Sequence, residues 1–206
     1  MRYLLFLLGF FGALLFVTTS VWAGLQIPGY DPISQFISES YANGVPNADI
    51  FQKAFFIAGI LLASFGFLAP IGLPRSLRLK VCFFTFALCY GVGTMVTAYF
   101  PCDFGCVLDK EHPSASQLIH NTMGLLTYIT VPFCLLGIGF ELKKKDIPSK
   151  LWLVSLVCGG VSLTFVVLLF ADPEGPYIGL FQRIIEGGIL SWTLCCASFF
   201  LKSSKN

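Results

Sequence analysis

The sequence predicts an all-α polytopic membrane protein, a single bundle of six transmembrane helices with a short interfacial helix on the outer side. Three observations carry this. Of the 206 residues, 56% are apolar and only 12% charged, against roughly 25% charged in an ordinary soluble domain. Mean hydropathy is +0.80, and six apolar runs are each long enough to cross a bilayer at about 20 residues per helix. The runs do not alternate apolar with polar residues, as the strands of a membrane barrel would. The same composition excludes a disordered chain, which needs low hydrophobicity, and a nucleic-acid binder, which needs clustered basic residues on a polar surface.

In chain order the spans are placed at about 4–24, 51–73, 79–100, 118–140, 151–170 and 178–201 within one domain covering 1–206. The first run admits a second reading. Met1-Arg2, an apolar stretch and Val21-Trp22-Ala23 have the layout of a secretory signal with a small-residue cleavage site, although the run is longer than the usual signal core. In either reading the residues after Gly24 lie outside.

Orientation follows from the basic residues, which are retained on the cytoplasmic side of short loops. With the amino terminus inside, ten of the 13 basic residues fall there: Arg2, Arg75, Arg78, Lys80, Lys143, Lys144, Lys145, Lys150, Lys202 and Lys205. Nine of the 11 acids fall outside, so a bland net charge of +2 divides into +8 inside and −6 outside. Both termini are expected in the cytoplasm, the protein in a bacterial inner membrane, and the short basic inner turns against anionic lipid headgroups. The longer outer connections are where function is expected.

In the first of these, Asp31 can cap a helix and Pro32 suits its first turn. The spacing predicts a helix over 32–41 with Ile33, Phe36, Ile37 and Tyr41 on one face. Ser34 with Ser38, and Gln35 with Glu39, repeat at four-residue spacing on the other. That polar stripe faces either water or a site between the spans. In the second outer connection, Cys102 and Cys106 flank Asp103 and fit a disulfide in an oxidising compartment. A zinc pair is the alternative, without a second ligand pair at zinc-site spacing. The six other cysteines are read as packing residues within spans.

Of the two histidines, His112 precedes a proline in a polar loop and is read as solvated, whereas His120 opens the fourth span beside Asn121. The last span alone carries charges deeper than its first turn, Arg183 and Glu186, with Gln182 one turn before Glu186. Ionisable groups within a span need a partner, water or a bundle interior. Arg183 and Glu186 either pair with each other, or meet the polar face of the outer helix and His120 around one cavity.

The combination of Asp31-Pro32-Ile33-Ser34-Gln35-Phe36-Ile37-Ser38-Glu39, Phe100-Pro101-Cys102-Asp103-Phe104-Gly105-Cys106, His120-Asn121 and Gly179-Leu180-Phe181-Gln182-Arg183 resembles the bacterial and archaeal membrane proteins grouped as domain of unknown function nine-nine-eight. The likeness runs over nearly the whole chain and implies a topology without an established reaction. The layout is more distantly similar to the six-span DRAM and Sfk-type proteins, a likeness that points toward lipids. Metal-dependent ceramidase-type hydrolases need more histidines than this chain has.

Three functions follow in order of expectation. The first is a binding or organising protein that holds a lipid headgroup or small amphiphile between the outer span ends, with Asp31, Gln35, Glu39, Asp103, Asn121, Gln182 and Arg183 as ligand-binding candidates. The second is a lipid hydrolase or acyltransferase with Ser34 or Ser38 as nucleophile, His120 as base and Asp31, Glu39, Asp103 or Glu186 as orienter. The third is a small-solute or proton-coupled transporter using Glu186 and His120. No metal or other cofactor is expected. Membrane lipids are the expected partners, nucleic acid is not, and a homo-oligomer is compatible with the sequence.

Overall fold

The computed structural model describes residues 1–106, 112–146 and 149–202. Among them no strand occurs, and six helices are long and apolar enough to cross a membrane. They are α1 (Arg2–Leu25), α2 (Ala48–Gly72, its last turn 3₁₀), α3 (Leu77–Tyr99), α4 (Ala115–Lys144), α5 (Leu151–Ala171) and α6 (Ile178–Lys202). Serine side chains start two of them: the Leu79 amide donates to Ser76 Oγ, and the Gln117 amide to Ser114 Oγ.

Each helix packs on its neighbours in sequence, and α1 closes the ring by packing on α6. Small residues permit the close approaches. A side chain on Gly9 of α1 would meet Ala197 of α6 and Phe65 of α2, and one on Gly91 of α3 would meet the Ala63 backbone of α2 at 2.3 Å. Half of the ring's interior is filled by aromatic and aliphatic side chains. Trp192 is fully buried, its ring centroid 5.7 Å from Phe83 and 5.1 Å from Phe86, and its indole N–H donates to Ser155 Oγ at 2.9 Å. Residues near Leu135, Ile138 and Phe200 complete this dry layer.

The two ends of the ring differ. One, the basic end, carries the turns with Arg75, Arg78, Lys80 and Lys143–Lys145; there Glu141 accepts from Ser76 Oγ at 2.7 Å and pairs with Arg78 at 3.7 Å. The other is covered by the connection between α1 and α2, which we call the strap.

The strap differs from the single helix expected over 32–41. Only Ile37–Tyr41 is helical, as a 3₁₀ helix, and residues 32–35 form turns. Side chains take its backbone donors, among them the Phe36 and Ile37 amides that a continuous helix would satisfy internally. Asp31 Oδ1 accepts from the Ile33 amide, Glu39 Oε1 from the Phe36 amide at 2.8 Å, and Gln182 Oε1 of α6 from the Ile37 amide at 2.6 Å.

Within α3, residues Ala87–Val92 form a π-helical segment, the kind of irregularity that gathers at functional sites. It lies against α2 and carries Tyr90 into the ring interior, 1% exposed.

Candidate functional site

Beneath the strap the ring is not filled. A cavity of about 330 Å³ lies between the strap and the dry layer, lined by side chains from the strap and all six helices. That volume is at the lower end of small-molecule pockets.

Its polar wall is built around Glu186, nine residues into α6 and 7% exposed. Tyr90 of α3 donates to one carboxylate oxygen at 2.7 Å, and Tyr128 of α4 to the other at 2.9 Å. Gln182, one turn earlier, accepts from the strap at Ile37 and also lines the cavity. Gln182 is thus bonded to the strap, and Glu186 one turn further on is bonded to Tyr90 and Tyr128. The opposite walls are aromatic: Phe55 stands between Phe16 and Tyr41, with centroid separations of 5.1 and 4.6 Å.

His120 also lines the cavity, 8% exposed. Its Nδ1 lies 3.2 Å from the Thr97 carbonyl and 3.1 Å from that of Phe100. Two carbonyl acceptors require a proton on Nδ1.

Arg183 and Glu186 do not pair, contrary to one of the two expectations. Arg183 turns to the strap instead, donating to the Gln35 carbonyl at 2.7 Å, the Gly179 carbonyl at 3.0 Å and the Tyr30 hydroxyl. Its guanidinium also lies 5.6 Å from the Tyr30 ring centroid. Among the described residues the ion pairs are Lys53 with Asp49 and Arg78 with Glu141. A second cavity of about 420 Å³, between α1 and α6 below Tyr30 and Arg183, shares Phe16, Ile37 and Glu186 with the first.

The other candidates divide between the cavity and the strap's own scaffold. Ser38 and Asn121 line the cavity. Ser34 donates to Asp31 Oδ2, and the Gln35 side-chain amide to Glu39 Oε2 at 2.8 Å. Asp103 Oδ2 accepts from the Ser114 amide at the start of α4, while Gln117 bridges the Asp103 amide and the Asn121 carbonyl oxygen. Asp31, Gln35, Glu39 and Asp103 thus hold backbone in shape. The Ser34 hydroxyl bonds hold its carboxyl partner Asp31 below the usual range, whereas burial pushes the Glu39 carboxyl above it.

Cys102 and Cys106 lie at disulfide distance, their Cα atoms 5.2 Å apart. Ser38 Oγ is 3.3 Å from Cys106 Sγ, and the Asn43 amide donates to the Cys102 carbonyl, so the pair fastens the second connection to the strap. Ser34 and Ser38 therefore have partners other than His120, and the serine–histidine–acid arrangement is not assembled among the described residues. No three His, Cys, Asp or Glu side chains among them are placed to hold a metal ion. His112 is exposed, and Asp109, Lys110 and Glu111 of the outer charge count, with Lys205 of the inner one, lie outside the described residues.

Sequence reasoning missed the tyrosines that hold Glu186. A signal was present, because a tyrosine in mid-span, away from the interfacial belt, has a hydroxyl that must find a partner.

A ring of six membrane-crossing helices with a strapped, half-polar cavity at one end defines the class: an integral membrane protein with a site at one end of its bundle. The model of the DUF998 family, described as a protein of unknown function, matches residues 10–198, and the chain belongs to that family. Comparison with curated proteins and with solved structures returned no match.

Proposed function

We propose that the protein binds an amphiphile, a lipid headgroup or a molecule of similar build, in the cavity under the strap, and that this end faces the outside of the cell. The observation that carries the reading is the cavity's division into a hydrogen-bonded polar wall at Glu186, Gln182 and Tyr128 and an aromatic wall at Phe16, Phe55 and Tyr41. An amphiphile has the two surfaces such a space can satisfy, and sites of this kind need only a few fixed polar groups. The acyl-transfer reading has less support, since Ser34 is engaged by Asp31 and Ser38 by Cys106. The test is extraction of the protein with its surrounding bilayer in a detergent-free polymer, followed by mass spectrometry of the co-extracted lipids. One lipid class enriched over the bulk membrane in the native protein, and lost on Phe55→Trp, which fills the cavity, is the expected result. Identical lipid profiles in both would refute the reading.

A further inference from the structure

We propose that the group this cavity takes is an ammonium, presented by an amphiphile whose chain leaves the ring between α4 and α5. The inference rests on the binding reading above and adds the charge of the head and the path of the chain.

The charge follows from what surrounds Glu186. Each of its carboxyl oxygens has a tyrosine hydroxyl at hydrogen-bond distance, two donors ready for the carboxylate form. A charge at that depth, about 12 Å along α6 from its first residue at 1.5 Å per residue, calls for a counter-charge. None is supplied by the cavity lining. Phe16 faces it from α1, Phe55 from α2, Tyr90 from α3, Tyr128 from α4 and Ile37 from the strap. The nearest cation in sequence, Arg183, is turned to Tyr30 and Gln35, and His120 spends its Nδ1 proton on backbone carbonyls. A ligand cation completes the pair. The aromatic walls suit the same charge, since the rings of Phe16, Tyr41, Phe55 and Tyr90 line the cavity and aromatic rings attract cations. A phosphate or carboxylate would meet Glu186 with no lining lysine or arginine to hold it.

The path follows from where α4 and α5 touch. Toward the basic end they approach closely: a side chain on Gly139 would lie 2.7 Å from Leu156, and one on Gly159 3.0 Å from the Pro132 carbonyl. On the strap side of Pro132 there is open space beside α4. Gly124 has nothing within 4 Å of where its Cβ would stand. Leu125 of α4 and Phe170 of α5 line the cavity while 47% and 45% exposed. An acyl chain reaches lipid there without crossing the strap.

The test is native mass spectrometry of the purified full chain in a neutral fluorinated surfactant, with three probes of one chain length: tetradecyltrimethylammonium, tetradecyl maltoside and tetradecyl phosphate. The trimethylammonium probe is expected to bind at least about tenfold more tightly than the other two. That preference should vanish in Glu186→Gln, while Gly124→Phe, which fills open space, should weaken binding of the cation without lowering the melting temperature. Maltoside or phosphate binding as tightly as the ammonium overturns the charge assignment and leaves amphiphile binding standing; no binding of any probe overturns both. A preference retained in Glu186→Gln removes Glu186 from the recognition, and unchanged binding in Gly124→Phe removes the α4–α5 path. The wild-type comparison stands even if Glu186→Gln fails to fold.

Discussion

At the scale of single residues, the fold depends on how Glu186 is solvated. Tyr90 and Tyr128 replace the water that an ionised carboxylate would otherwise keep, and hydrogen bonds to a charged group are worth about 1.5–3 kcal/mol each. Tyr90→Phe or Tyr128→Phe should therefore destabilise the protein by about that amount, because each leaves one buried oxygen with a single partner fewer. In the background of Glu186→Leu, where there is no carboxylate to solvate, the same tyrosine substitutions should cost much less. A double-mutant cycle read by unfolding in detergent checks this, and additive losses would mean that the hydroxyls stabilise something else. The carboxylate itself was legible in the sequence, as were Gln182, Arg183 and His120, because a polar group inside an apolar run stands out. The mid-span tyrosines signalled only that their hydroxyls need partners, since hydropathy counts the ring and ignores the hydroxyl. Their pairing with Glu186, 96 and 58 residues away in sequence, leaves no local trace.

At the scale of elements, the strap is held to α6 through contacts that only glycine permits. The Gln35 backbone lies where a side chain on Gly179 would stand, 2.2 Å from the Gln35 carbonyl oxygen. The free amide of Leu180 in the first turn of α6 donates to Ile33 O at 2.8 Å. Gly179→Ala must push the strap off, and with it the Gln182 and Arg183 bonds to Ile37 and Gln35. Rapid amide exchange over 30–41, with exchange in the dry layer around Trp192 unaltered, is the expected outcome; unchanged strap protection would show that the close contact can relax elsewhere. The strap should also respond to pH. Burial raises the Glu39 value above its ordinary 4.5, so its contribution to stability is present below 4.5 and is lost as pH rises through the folded value. Asp31, held below its ordinary 3.8 by Ser34 and the Ile33 amide, contributes above 3.8 and loses that contribution as pH falls through its folded value. Protection factors of strap amides should peak near pH 4 to 4.5, and Glu39→Gln should remove the decline on the neutral side only. The four-residue spacing of Gln35 with Glu39 was a sound guide to their contact, yet it suggested a continuous helix. What it could not convey is that Glu39 and a glutamine from the far end of the chain take the Phe36 and Ile37 amides that a continuous helix would use.

At the scale of the molecule, the six spans were legible because each is an unbroken apolar run, whereas ring closure was not, since the packing of α1 on α6 joins the two ends of the chain. Closure matters to how the protein sits in the membrane. It makes α1 a structural member, with Leu5 and Ala13 fully buried, and puts every short basic turn at one end and the strap, with Cys102 and Cys106, at the other. Two independent considerations bear on the proposed orientation. Basic residues near span ends stay on the cytoplasmic side, and a cysteine pair at disulfide distance is stable as a disulfide only on the oxidising side. Both favour the orientation proposed above, with the strap outside and the α6 carboxyl end inside. A fluorescent-protein fusion after Asn206 should glow, and an alkaline phosphatase fused at the same point should be inactive, while Cys102 and Cys106 should resist alkylation until a reductant is added to intact cells. Reversal of the basic turns tests the cause. Replacing Arg75, Arg78 and Lys80 with glutamine should leave some molecules inverted or incompletely inserted, since the next inner turn, at Lys143–Lys145, remains to hold the others. Phosphatase activity from the wild-type fusion, or a Cys102–Cys106 pair that alkylates freely without reductant, would place the cavity on the cytoplasmic leaflet instead.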